Sequence, residues 1–598
     1  MSPRRAHLGL ILLGLALVLP SLRAGFFADD YLQIAQLEGW SVNPVSPLDL
    51  YSFVPGDRAR LAALLDLGAP YFAAPNLELR FLRPLSSALM AFDHALFGRQ
   101  PIPYHVHTLL WYAALLAVVG ALCRRAAPRS LWLLAFLIFC LDDGHALSVS
   151  FIAARNAVIS CVLVWLGLGA HLRWRIHAWR PGAVLAPVLG ALGLAAGEMG
   201  LAALAYLVAW ELCERRPGWR GALVPTALLV AAYLAAYRLI GGGAHASAAY
   251  LDPFGDPIGF LTELPARLAL LFGNLILRTP VDAAFLDDRL RAPLIAVGLA
   301  AAVIVALWLP RALRRLPPDE AARVRWLGVG ATGALVAGAP GTLGERLVFA
   351  ASLGGAVVVA ALLHDAWQLF RSRRARLLTA VALVSLGLPN LVIAAVALPG
   401  KTIFFGRMFD GYRRLAREAE IAAPVPARVV LIALDDLFAL QLLPTRAFEQ
   451  GRTPEELRPI ARGEGAALGG PDTLGELGGG ILSMAAASHR LRRTGADTLE
   501  LFTPDGTLLD GAWPSVFRSR SLPLPRGRIV RTSYMTVTIL DDNAGRPTRA
   551  SFQFTRPLED PSLVFLVFRD GGLRRFTVPP VGAVVELPRL KPFEAAIH

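Results

Sequence analysis

The sequence predicts an α-helical polytopic membrane protein with a β-rich domain at its C-terminal end. The 598 residues are 55% hydrophobic and only 17% charged, with a mean hydropathy of +0.51, too apolar for a soluble multidomain chain of ordinary composition. Apolar runs long enough to cross about 30 Å of hydrocarbon recur through the first two thirds of the chain. Beyond about Gly400 the pattern changes to short alternating runs separated by turn residues.

The first apolar run, about 7–22, follows Arg4 and Arg5. It reads as an uncleaved anchor, because Leu22-Arg23-Ala24 makes a poor cleavage site. Further runs lie near 104–123, 130–148, 151–170, 182–197, 199–213, 220–240, 292–310, 324–341, 346–366 and 376–398, so the expectation is about eleven spans.

A net charge of +14 would suggest a polyanion partner in a soluble chain. Here the arginines follow alternate spans: Arg124, Arg125 and Arg129 after the second, Arg173, Arg175 and Arg180 after the fourth, Arg215, Arg216 and Arg220 after the sixth. The group from Arg311 to Arg325 follows the eighth, and the group Arg371, Arg373, Arg374 and Arg376 follows the tenth. The connections at 141–150 and around Glu198 carry no arginine and the one near 342–346 carries only Arg346, so the charge reports topology, with the N-terminus cytoplasmic, the tail outside and no nucleic-acid partner. Lysine occurs only at Lys401 and Lys591, and a composition rich in Ala, Gly, Arg and Pro points to a bacterial cytoplasmic (inner) membrane. Cys123, Cys140, Cys161 and Cys213 fall in or beside apolar runs with no metal-binding spacing, which indicates neither a disulfide framework nor a structural zinc site.

This organisation gives a transmembrane domain over 1–400, with outer segments at 24–103 and 241–290, and an outer domain over 401–598. Within the tail a helix is expected at 405–420, then strands near 429–433, 498–502, 531–540, 551–555, 562–568 and 575–578. Turn signals such as Pro504-Asp505-Gly506 separate them, a pattern that suits a small sandwich. Its aromatic residues, among them Trp513, Phe517, Tyr534, Phe552 and Phe554, give no evident sugar-stacking platform.

The chemistry-bearing residues collect around the spans. Directly after the first run stands Phe26-Phe27-Ala28-Asp29-Asp30-Tyr31, two carboxylates among aromatic groups at the membrane boundary. Loss of solvation there tends to raise a carboxyl pKa towards the range of a general base. Arg83-Pro84-Leu85 opens a second motif; Pro84 at a first helical position, with Leu85, Leu89, Phe92 and Leu96 at helical spacing, predicts an amphipathic helix on the membrane. Arg83 would stand at its start, as a snorkelling surface arginine or a clamp on a lipid phosphate. Asp93, Tyr104-His105, Arg155-Asn156, Glu198 and Glu345-Arg346 follow at span ends. Arg155 inside an apolar segment demands a partner or a function.

Taken in order, Phe27-Ala28-Asp29-Asp30-Tyr31, Arg83-Pro84-Leu85, Asp93 with Phe97-Gly98, Tyr104-His105, Ala154-Arg155-Asn156, Gly197-Glu198 and Glu345-Arg346 resemble the GT-C-fold membrane glycosyltransferases. The likeness is greatest to bacterial relatives of protein O-mannosyltransferases and of the transmembrane and tetratricopeptide-repeat O-mannosyltransferases. It covers roughly residues 1–400; it departs from the pattern at Thr108 and Tyr112, where those proteins commonly have Asn and His, and in the β-rich tail.

The resemblance implies transfer of a sugar, usually with inversion, from a polyprenyl-phosphate donor to an acceptor hydroxyl on the outer face of the membrane. The acceptor class, whether protein, glycolipid or glycan, stays open. The residues offer the needed groups: Asp29 as base for the attacking hydroxyl, and Arg83, His105, Arg155 and Arg346 for the leaving phosphate. Tyr31, Asp93, Glu198 and Glu345 stand as supporting residues. Asp30 would orient one of these groups or ligate a divalent metal, a cofactor that the arginines make dispensable. The competing readings are a polyprenyl-lipid transporter or flippase, which the span number favours, and a non-catalytic scaffold presenting the tail.

Overall fold

The computed structural model of the chain describes residues 3–41, 43–66, 68–373, 376–422, 427–461, 479–590 and 594; Arg374 and Lys591 lie outside them. It divides into two compact units. One comprises Met1–Gly25, Phe81–Ile240 and Leu251–Gly406, the other Phe26–Arg80, Gly241–Tyr250 and Arg407–His598. The units are therefore not consecutive halves: residues 26–80 and 241–250 fold with the C-terminal part.

The first unit is helical. Eight described helices of the chain are long and apolar enough to cross a membrane, and a bent pair, Trp132–Cys140 with Asp143–Ser150, raises the number to nine. The protein is thus a multi-pass membrane protein. Its inner helices, such as Ile152–His177 and Ser352–Arg371, are largely buried, and Trp165, Phe136 and Phe139 fill the space between them. Outer helices expose aliphatic side chains instead, among them Leu110, Leu228, Val303 and Val396, which is stable only against an apolar solvent.

The expected eleven spans differ from this set in four places. Pro181–Ala196 and Met199–Glu214 have 16 residues each, about 24 Å at 1.5 Å per residue. Pro318–Gly338 opens with Asp319, Glu320, Arg323 and Arg325. The fourth difference lies within 241–290, where the structure has a further apolar helix, Pro257–Leu277. Its start is specified locally, since Pro257 takes a first-turn position and the Asp256 carboxylate accepts from Gly259 N at 2.9 Å. The sequence hid it because Glu263, Pro265 and Arg267 interrupt its apolar run, yet Arg267 is buried and donates to the Ala339 carbonyl at 3.0 Å.

Pro257–Leu277 packs closely on Asp288–Leu313: a Cβ at Gly298 would collide with the Ala269 carbonyl oxygen. Close helix approach at a small residue is how membrane helices gain dispersion contact. Gly298→Val is expected to lower stability by about 1–3 kcal/mol through overpacking. A thermal melt of the purified protein in detergent checks it, and an unchanged midpoint would refute this packing.

The second unit is β-rich. Its six-stranded antiparallel sheet runs in the order Val584–Leu587, His489–Arg493, Thr498–Phe502, Arg546–Phe554, Met535–Asn543, Ile529–Arg531. A four-stranded sheet runs Gly572–Arg575, Leu563–Arg569, Arg428–Leu431, Gly479–Ile481. The Phe554 and Phe565 rings meet edge-on at 5.3 Å, joining the two sheets. The second sheet is mixed where a sandwich would be antiparallel: Leu563–Arg569 and Gly479–Ile481 both flank Arg428–Leu431 in parallel. Parallel pairing needs long crossovers and leaves no local sequence mark. Phe517, Tyr534, Phe552 and Phe554 are buried in this unit, so they serve as core. A small three-stranded sheet, Ser52–Pro55, Glu78–Arg80 and Gly243–His245, completes the unit.

Candidate functional site

The acidic pair belongs to the second unit. Asp29 and Asp30 open the helix Asp29–Glu38, where acidic residues suit the positive end of the backbone dipoles, and Gly39 closes it in the left-handed conformation. The turn before the helix is closed by Asp30 N donating to Phe27 O at 2.9 Å. Reciprocally, Phe27 N donates to Asp30 Oδ2 at 3.0 Å. The two carboxylates are thereby made unequal. Asp30 is wholly buried and tied to the turn, whereas Asp29 stays partly exposed.

Aromatic groups enclose this turn as the sequence suggests. Phe27 stacks on Phe409 with ring centroids 4.0 Å apart and planes 8° apart. Phe26 and Tyr31 both meet the Phe448 ring edge-on, at 5.6 and 5.0 Å. Tyr31 donates its hydroxyl to Glu449 at 3.0 Å. Burial raises the Tyr31 phenol above its ordinary range, and the Glu449 carboxylate adds to the effect, so Tyr31 stays a neutral donor.

The residues expected to bind phosphate belong to the first unit. Arg83 precedes the helix Pro84–Phe97, whose start at Pro84 and whose exposed Phe92 and Leu96 follow the expected stripe. Its Nε meets Glu198 Oε2 at 2.8 Å, and its guanidinium lies 4.8 Å from the Phe81 ring centroid. Tyr237 donates to the other Glu198 oxygen at 3.3 Å. Arg155 is only 2% exposed and is paired with the fully buried Asp93 at 2.7 Å. His107 Nδ1 meets the second Asp93 oxygen at 2.6 Å, and His107 Nε2 accepts from the Trp111 indole at 3.0 Å. His105, also fully buried, holds the Gly25 carbonyl at 2.9 Å.

Arg155 and His105 are therefore engaged inside the unit, Arg155 with the partner that its apolar surroundings require. Arg346 is different again. It stays partly exposed and makes no ion pair or side-chain hydrogen bond among the described residues.

Beside Arg346 the structure assembles a charged cluster that reading single motifs missed. Lys401 Nζ bridges Asp143, at 2.6 Å, and Glu345. Asp282 accepts from Glu345 N at 3.4 Å. Asp142 pairs with Arg278, whose Nε also donates to Asn390 at 2.9 Å. Four carboxylates face three cations, Arg278, Arg346 and Lys401. Burial raises the Glu345 carboxyl, with Lys401 opposing and Asp282 adding, and burial likewise raises Asp282. Two signals were available in the sequence: the Asp142-Asp143 pair ending an apolar run, and Lys401 as one of only two lysines.

Among the described residues no group of three or more His, Cys, Asp or Glu side chains is placed to hold a metal ion. Asp30, the residue considered for that role, already spends one carboxylate oxygen on Phe27 N.

No protein-family model matches the sequence, and no curated protein matches it. Among solved structures the chain is similar to the archaeal oligosaccharyltransferase AglB from Archaeoglobus fulgidus in complex with an inhibitory peptide and a dolichol-phosphate. That match has 11% identity and a TM-score of 0.43, over 74% of this chain and 63% of the other. The apo form of the Archaeoglobus fulgidus oligosaccharyltransferase matches at 12% identity and a TM-score of 0.39, over 74% and 64%. ArnT from Cupriavidus metallidurans bound to undecaprenyl phosphate matches at 14% identity and a TM-score of 0.36, over 74% of this chain and 83% of ArnT. The match thus spans less than two thirds of the length of the oligosaccharyltransferase chains.

Proposed function

We propose that the protein is a membrane glycosyltransferase that moves a sugar from a polyprenyl-phosphate donor to an acceptor hydroxyl on the outer face of a bacterial cytoplasmic membrane, with inversion. The observation that carries this reading is the inequality of the acidic pair. One carboxylate, Asp30, is consumed in holding its turn, and the other, Asp29, stays partly exposed at a helix start.

The chemistry asks two things of the chain. The attacking hydroxyl must lose a proton as the anomeric carbon becomes oxocarbenium-like, and Asp29 takes it. The leaving lipid phosphate gains charge, and a fixed cation must meet it. Arg346 is the first choice, because among the described residues it has no ion pair to give up, while Arg83 would have to share its guanidinium with Glu198. A guanidinium suits a phosphate because its donors match two oxygens at once.

Membranes containing the full chain, given a mixed pool of radiolabelled polyprenyl-phosphate hexoses and pentoses, test this. Label is expected to leave the solvent-extractable lipid pool for acceptor, releasing polyprenyl phosphate. Labelled lipid that changes leaflet without being consumed would establish transport instead. Arg346→Ala is expected to weaken binding of polyprenyl phosphate by roughly 10- to 100-fold, the worth of a charged hydrogen bond, with the melting midpoint unchanged. Undiminished binding would remove Arg346 from the site.

A further inference from the structure

The residue joining Phe27 to Asp29 has a conformation that its side chain does not favour. Ala28 sits at φ 48°, ψ −111°, close to the first central position of a type II′ turn, where glycine is the usual occupant. With Asp30 N bonded to Phe27 O, the segment Phe27-Ala28-Asp29-Asp30 forms such a turn. A non-glycine residue held there stores strain that the surroundings must impose, and such strain concentrates at functional sites.

The surroundings that impose it come from the far end of the sequence, within the same unit. The helix Ala394–Glu418 contributes Phe409, which stacks flat on Phe27, and Tyr412, whose ring lies 5.5 Å away at 29°. Tyr412 is fixed in turn by its hydroxyl bond to Asp436, a carboxylate only 4% exposed that follows the strand Arg428–Leu431. Arg413 donates to the Phe26 carbonyl at 3.4 Å. The ring on one side of Ala28 is thus clamped, while Asp29, on the other side, keeps its partial exposure.

We infer that Phe27 and Tyr412 are positioning residues for Asp29: the Tyr412 to Asp436 bond locks the aromatic stack, the stack holds Phe27, and Phe27 forces the Ala28 turn that aims the Asp29 carboxylate. The inference rests on Asp29 being the base. It gives Tyr412 and Asp436 a part in catalysis without contact with substrate, because aim at the reacting hydroxyl within a fraction of an ångström governs the rate.

Three variants of the full chain in the radiolabelled donor assay test it, with rates normalised to folded protein. Tyr412→Phe keeps the ring and removes only the hydroxyl; kcat is expected to fall about tenfold with donor KM within about twofold. Phe27→Leu is expected to lower kcat about 100-fold. Ala28→Gly relieves the strain, so its melting midpoint is expected to rise while its kcat falls. Unchanged kcat in Tyr412→Phe, or an Ala28→Gly protein that is more stable and equally fast, would overturn the inference while Asp29→Asn remained inactive. Wild-type protein that consumes no donor would instead overturn the functional reading. A loss in Phe27→Leu that disappears on normalisation would reduce Phe27 to a folding role and likewise overturn the inference.

Discussion

Asp29→Asn is expected to lower sugar transfer by about 10²- to 10⁴-fold, the usual contribution of a positioned general base, while the protein inserts and melts like wild type. Amide and carboxylate have nearly the same shape, so the helix Asp29–Glu38 keeps its first residue while the proton acceptor is lost. The neighbouring residue supplies the contrast. Asp30 is wholly buried and accepts from Phe27 N, so Asp30→Ala should cost about 1–3 kcal/mol by leaving that donor unsatisfied, and its activity loss should track its loss of folded protein. Transfer at the wild-type rate by a correctly inserted Asp29→Asn protein would end the proposed mechanism. If both variants lost activity only in proportion to folding, the pair would be structural and the transporter reading would gain.

That contrast was not visible in the sequence, which presents Asp29 and Asp30 as equivalent neighbours. What the sequence carried well was anything encoded locally. Pro84 and the stripe from Leu85 to Leu96 mark the helix Pro84–Phe97. The alternation in Thr498–Phe502 marks a strand with the same bounds. What it carried poorly depended on distant partners. Lys401 meets Asp143 across 258 residues, and no period or motif brings such positions together. Arg155 illustrates the intermediate case: an arginine in an apolar segment announces that it must have a partner, but nothing in the sequence singles out Asp93 over Glu198 or Glu345. The helix Pro257–Leu277 was hidden for the opposite reason, since its charged residues look like loop until their partners are known. Arg267 is satisfied by the Ala339 carbonyl and Glu263 by Arg291.

The largest loss of stability is expected from Asp93→Ala. The Asp93 side chain is fully buried and that of Arg155 is 3% exposed, with 2.7 Å between them. Taking two charges out of water costs more than their attraction clearly returns, so the intact pair need not stabilise the fold. Removing one partner is a different matter, because the other stays buried and unpaired at a cost of about 3–5 kcal/mol. His107 adds to the loss, since its Nδ1 bond to Asp93 goes as well. The double variant Asp93→Leu, Arg155→Leu removes both charges and fills the space with apolar groups, and it should recover most of the stability lost by Asp93→Ala. Thermal melts of the three proteins in detergent decide the matter. A double variant no more stable than Asp93→Ala would mean that Arg155 has further polar obligations in the interior. A stable Asp93→Ala protein would mean that the guanidinium can reach water or a lipid phosphate once Asp93 is gone, which would favour a part for Arg155 in binding the donor.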